Sequence, residues 1–263
     1  MSLLEVPLGF ETSRIATLQV APTGEGYRSP DQFIGYWDQV MERVGAAPGV
    51  ENVALTDTPP LGSRFSIRGY GVAGKPQLPP TETPLSHVAT VSPGFFATLG
   101  IPIVQGREFA HADAISNPRV IVINTAMAER EFPGQDPLGQ RFTLGAGPDG
   151  EEQWLEVVGV AADIKQYGIE QDPVPTIFAV HTFLPSQALT VMVRSAGESS
   201  SVAGAVRAAL QSIDPALPVA RMQPLDPFVQ RPRRAFHHRA GDLRRRAADP
   251  PRRRAQVDHQ PAR

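Results

Sequence analysis

His111 and Asp113 stand two residues apart in the stretch AHADA, and an imidazole and a carboxylate at that spacing could share a metal ion. No third or fourth ligand stands at a recognisable spacing, so the pair reads as part of a surface loop. Asp163 and Lys165 follow an apolar run and could serve as acid and base, but a polar turn is the simpler account. Glu129, Arg130 and Glu131 offer two carboxylates; adjacent helical residues point apart, so a solvated face with a local ion pair is expected. His87 lies in an apolar strand, and His181 reads as a core or edge histidine with its hydrogen bonds made. The loop GAGPDG at 145–150 is not followed by Lys-Ser/Thr or by a helix start, which excludes a phosphate loop. Ser195 in RSAGES lacks the nucleophile-elbow pattern. Arg107 and Glu108 read as a structural ion pair or turn contact. No convergent nucleophile, base and orienter stands out, so a hydrolase is disfavoured. Catalytic, cofactor-binding and metal-ligating residues are all expected to be absent.

The elements that would carry these residues are short, because 27 prolines and 23 glycines punctuate the chain. The central one is VSPGFFATLGIPIVQGREFAHAD at 91–113. Ser92 is placed to cap a helix with Pro93 in its first turn, and Phe95, Phe96 and Leu99 form its apolar face. Gly100 and Pro102 end it, and Ile101, Ile103 and Val104 read as a short buried strand. Gly106 then turns the chain.

Upstream, RIATLQV (14–20) alternates as a strand with one buried face. A helix from Pro30 to Val44, capped by Ser29, turns Phe33, Trp37, Val40, Met41 and Val44 inward, and VENVALT (50–56) is the next strand. That order is a split or direct βαβ unit. Strands follow at 65–72, 85–91, 119–124 and 175–181, with a helix at 125–132 and a hairpin between 141–144 and 154–161. The order strand, helix, strand returns at 189–194, a helix from the Ser199–Ser201 run to Ile213, and 218–222. The reading is α+β, one subdomain built from both chain ends and a second inserted in it. Phe33 to Trp37 and Phe95-Phe96 could line an apolar groove, but aromatics at helical spacing read first as core. A ligand surface would be sought in the cleft between the subdomains.

Of the 263 residues 41% are hydrophobic and 20% charged, ordinary for a globular chain. The absence of cysteine excludes disulfides and thiolate chemistry. No apolar run approaches a membrane span, and the N-terminus lacks the basic and apolar regions of a signal peptide. The formal net charge of −2 conceals an asymmetry. Residues 231–263 hold eleven arginines against three aspartates, net +8, which leaves 14 basic and 24 acidic groups, net −10, on the first 230 residues.

Several collinear blocks resemble the MacB-like periplasmic core domain of bacterial ABC transporter permeases of the MacB/FtsX type. They are VSPGFFATLGIPIVQGREF, VIVINTAMAEREFPGQDPLGQRF, WLEVVGVAADIKQYGIEQDPVPTIFAV, APGVENVALTDTPPLG and LTVMVRS…VRAALQSIDPALPVARMQPLD. The resemblance covers roughly residues 3–228. It implies a porter-like βαβ pair at 1–58 and 188–228 and an inserted smaller mixed α/β, Sabre-like subdomain at 59–187. It also implies a non-catalytic domain on the periplasmic face of the inner membrane, between the first membrane helix and the remaining three, passing conformational change to substrates or partner proteins during export or efflux. The implied partners are the membrane helices of the parent permease and a separate ATP-binding subunit or domain, with a second permease copy or a periplasmic adaptor as further candidates. No cofactor and no nucleic acid are implied. A free-standing periplasmic binding protein for a small or lipid-like ligand is the alternative.

The expected membrane helix after Phe228 is replaced by Arg/Ala/Pro-rich text at 229–263, including His237 and His238. With almost no large apolar residues it is expected to be disordered. GC-rich DNA read out of frame yields such text, so a frameshifted or truncated gene end is expected, and the chain reads as a fragment lacking membrane helices. A basic arm for nucleic acid or anionic lipid is the lesser reading.

Overall fold

The strand and helix runs of the sequence become seventeen elements in a computed structural model, which describes residues 7–225 except 24–26, 28, 63, 77, 80, 116–118, 148–149, 167–169 and 218–220. The tail at 229–263, with His237 and His238, lies outside the described residues, as do 218–220 of the strand expected at 218–222. The order begins β1 (Ile15–Val20), α1 (Pro30–Gly45), β2 (Val50–Thr56), β3 (Ile67–Gly69), β4 (Gly71–Val72), β5 (Leu85–Val91), α2 (Phe95–Leu99), β6 (Ile103–Gly106) and α3 (His111–Ile115). It continues β7 (Val120–Asn124), α4 (Thr125–Glu131), β8 (Arg141–Ala146), β9 (Glu152–Ala161), β10 (Thr176–Val180), β11 (Leu189–Ser195), α5 (Ala203–Ile213) and β12 (Gln223–Pro224). Among the described residues no helix is long and apolar enough to cross a membrane.

Helix α1 starts where Ser29 and Gln32 form a capping box: each side chain accepts the other's backbone N–H, and Pro30 occupies the first turn. Its buried face is Tyr36, Trp37, Val40 and Val44. β1 and β2 run parallel with antiparallel β11 between them. β11 and β12 run parallel with β1 between them. Two split βαβ units therefore interleave in the order β12-β1-β11-β2. Helices α1 and α5 pack on one face over Leu18, Leu55, Val191, Val193, Val206 and Leu210.

The remaining strands follow in the order β5-β10-β7-β9-β8-β4. Residues 67–72 pair with β5 through β3 and with β8 through β4, so this part curls back on itself around Tyr70, Ile121, Phe142, Leu155 and Ile177.

Several elements differ from their sequence reading. β1 is buried on both faces except at Gln19, because the α2 core covers Ile15 on the face opposite the helices. The strand expected at 65–72 breaks at Tyr70, where the chain changes partner from β5 to β8. β6 is a largely exposed edge strand that pairs with β9, and Val104 points to solvent. Residues 111–115, read as a loop, form α3. The run Ser199–Ser201 gives α5 no cap: Val202 occupies the cap position, and the Ser201 hydroxyl donates to the Glu198 carbonyl in the preceding turn. The final strand is Gln223–Pro224, shifted beyond 222.

Candidate functional site

The two parts of the sheet meet at one backbone pair, Thr56 opposite Val91, whereas β1 and β11 share six. β2 and β5 overlap only at their last residues, and side chains complete the join. Ser92 exchanges bonds with Leu55: its N–H donates to the Leu55 carbonyl at 3.0 Å, and its hydroxyl accepts the Leu55 N–H at 2.9 Å. This is why Ser92 does not cap α2, whose cap position is Gly94 at φ 80°. Asp57 and Thr90 are linked the same way, the Asp57 carboxylate accepting the Thr90 N–H at 2.8 Å. Gln166 donates its side-chain amide to Thr58 O at 2.8 Å.

Helix α2 lies across this join. Phe95, Phe96 and Leu99 are buried as the sequence predicts, and Gly100 ends the helix at φ 65° while the Ile101 N–H bonds to Phe96 O. On one side the buried Arg194 guanidinium on β11 donates to Thr98 O at 2.9 Å and to Glu11 at 2.6 Å. On the other, Phe95 and Phe96 meet Phe178 on β10, with Phe96 at 5.1 Å between ring centroids. One apolar cluster thus takes Ile15, Ala54 and Met192 from one part of the sheet and Val122, Phe178 and Val180 from the other.

Burial raises the Asp57 carboxyl above its ordinary range, against the hydrogen bond from the Thr90 N–H. A raised folded value stabilises the fold below the unfolded carboxylate range, and that contribution is lost as pH rises through the folded value. Asp57→Asn keeps an acceptor for Thr90 and removes the titration. Its stability relative to the parent is therefore expected to improve from acid to neutral pH, as urea midpoints at several pH values will show.

The residues with chemical potential are dispersed, and the carboxylates among them that are partly or fully buried are tied to backbone amides or to cations. Asp113 pairs with Arg107 and accepts the Ala110 N–H. Burial would raise the Asp113 carboxyl, but Arg107 outweighs it and holds the group below its ordinary range. Arg107 therefore pairs with Asp113, while Glu108 accepts the Ala97 N–H. Asp163 receives the Asn124 side-chain amide at 2.6 Å and the Ala126 N–H, fixing the start of α4; Lys165 turns away to Gln171 O. Glu131 binds Lys75 at 2.8 Å and the Tyr70 hydroxyl, and Glu129 points to solvent. The Ser195 hydroxyl donates to Gly197 O. His87 is half-buried with its imidazole pKa lowered by burial, and its ring packs edge-on against Phe65. His181 departs from expectation. It lies just past β10, is buried, and among the described residues neither ring nitrogen makes a hydrogen bond; Asp38 is 3.9 Å away. Among the described residues no three His, Asp or Glu side chains gather as a metal site would need.

Trp37 is core, its indole N–H donating to Ser186 O at 2.8 Å, and Phe33 packs on the same cluster. A small polar hollow of about 280 Å³ at Asp57, Arg64, Phe65 and Ser186 lies beside the join. A larger opening of about 620 Å³, which nothing in the sequence reading signalled, lies away from it, bounded by β3, β4, β8 and β9.

The sequence profile of the MacB-like periplasmic core domain matches residues 3–212, well over half of the chain. No curated protein matches the chain. The fold is similar to that of the periplasmic region of MacB from Actinobacillus actinomycetemcomitans, at 13% identity and TM-score 0.56, covering 88% of this chain and 97% of that one. It is also similar to a domain assigned to a permease protein of Porphyromonas gingivalis, at 15% identity and TM-score 0.51, covering 85% and 94%. Interleaved βαβ units, a curled β-rich part and a profile match spanning both place the chain in the family of MacB-like periplasmic core domains of ABC-type permeases.

Proposed function

We propose that this domain works as a non-catalytic lever on the outer face of the inner membrane, carrying movement of a permease's membrane helices to a substrate or partner protein during export. The porter-like part, residues 1–58 and 188–228, receives the movement, and the Sabre-like part, residues 59–187, delivers it. The partners are the parent's membrane helices and a separate ATP-binding subunit or domain, with a second permease copy or a periplasmic adaptor at the far end.

The observation that carries this reading is the join. The two parts share one backbone pair, Thr56 with Val91, and the α2 cluster of Phe95, Phe96 and Leu99 lies over it. β1 and β12, nearest the two ends of the described chain, are neighbours in the same part, so a pull from flanking segments enters there. Ser92, Gln166 and Arg194 at the join are each hydrogen-bonded to backbone amides or carbonyls, which stiffens it. The purified protein is expected neither to bind nor to hydrolyse ATP; measured turnover in its own fraction, absent from a mock purification, would overturn the non-catalytic reading.

A further inference from the structure

We propose that the opening between β3 and β8 takes up an extended apolar peptide segment carrying one basic side chain, by strand addition. The inference goes beyond the lever role and does not depend on it.

Backbone parity defines the opening. Val88 donates to Ser66 O and Tyr70 to Pro84 O, so even-numbered residues of 66–72 face β5. Ala73 donates to Arg141 O, so the odd-numbered ones face β8. β8 is in register only with Gly71 and Val72, opposite Thr143 and Phe142. Continued pairing would set Gly69 against Gly145. Instead the Thr143 hydroxyl bonds to the Gly145 backbone, Gly145 takes φ 110°, and β8 bends away with an irregular register against β9. Among the described residues no strand covers Ile67 and Gly69 on that edge. Such an edge pairs readily with another extended chain, and glycines at 69 and 145 allow close backbone approach.

The surroundings favour apolar side chains. Leu144 and Trp154 line the opening with Leu78 and Leu85, which are 48% and 60% exposed. Phe65 and Ile67, also exposed, extend the same surface along the β3–β5 face. Charge selects the rest. Glu131 is paired with Lys75 at 2.8 Å and with Arg130 at 3.3 Å. Glu152, exposed and on the same face of β9 as Trp154, has no ion-pair partner among the described residues. Glu152 is therefore the charged group of the lining left for a ligand, beside an indole, a setting that a lysine or arginine side chain complements through the carboxylate and the ring.

Fluorescence of the full chain with the peptide acetyl-Leu-Val-Lys-Leu-Thr-amide tests this. Of the two tryptophans, Trp37 is 1% exposed and Trp154 half-buried, so a blue shift on titration reports the opening. A saturable shift is expected. Glu152→Lys and Leu85→Ser, both at exposed positions, and N-methylation of alternate peptide amides are each expected to weaken binding about tenfold or more. The proposal is overturned by no saturable shift at millimolar peptide, or by equal binding of a peptide with Glu in place of Lys. Equal binding of the N-methylated peptide or of dodecyltrimethylammonium would overturn it too, by marking a site for small amphiphiles.

Discussion

Truncating Phe96 to alanine is expected to lower the unfolding free energy by about 4 kcal/mol, the middle of the range for a buried aromatic. The ring is fully buried where α2 crosses the join, and it touches Phe95, Phe109 and Phe178, with ring centroids 5.4, 6.3 and 5.1 Å away. Its partners come from α2 itself, from the segment after β6 and from β10, elements that cannot move together to fill the gap. The cost therefore combines lost burial with a cavity. For a domain of this size the shift corresponds to a fall in Tm of roughly 8–16 °C. Calorimetry of Phe96→Ala beside Phe33→Ala, at a half-buried position on α1, checks the reading, because the second substitution is expected to cost far less.

Asn124→Ala is expected to cost about 3 kcal/mol, through hydrogen bonds rather than volume. The buried side chain uses all its capacity. Its amide donates to the Asp163 carboxylate and to Val174 O at 2.9 Å, and its carbonyl accepts the N–H of Met127 at 3.1 Å and of Thr176 at 2.8 Å. It caps α4 and ties β7 to β10 and to the segment after β9. Removal strands two buried N–H groups and leaves Asp163, whose carboxyl is already raised by burial and by nearby Glu129, with less compensation. Asn124→Asp keeps the acceptor for Met127 and Thr176 but sets a second carboxylate against Asp163, so it is expected to recover part of the loss only at acid pH, where a shared proton replaces the lost donor; denaturant midpoints of the two variants at neutral and acid pH separate cap from charge.

How much could be read from residues alone follows from the range of each interaction. The continuous apolar runs at 120–124, 176–180 and 189–193 gave their strands directly, because strands buried on both faces need no alternation. The α1 face and the Gly100 stop were equally plain, each being settled within a turn of helix. Ser92 was misread because a local cap and a bond to Leu55, 37 positions away, ask for the same residue type. The Asn124–Asp163 pair spans 39 positions and leaves no spacing signature. Arg107 and Asp113 both stand out in the sequence, yet their pairing depends on α3, too short for a periodic signal. The opening between β3 and β8 left no trace in the sequence, because it arises where the pairing of β8 ends early.

The account turns on α2 holding the two parts of the sheet in one fixed relation. The chain has no native cysteine, so spin labels at Glu42→Cys on α1 and Glu129→Cys on α4, both exposed, give the distance across the join by pulsed electron resonance. A second pair, Glu42 with Gln211 on α5, stays within one part. The account predicts one narrow distance across the join in the parent and a broad distribution in Phe96→Ala, while the Glu42–Gln211 distance remains narrow in both. A cross-join distribution already broad in the parent, or one that Phe96→Ala leaves unchanged, would contradict it.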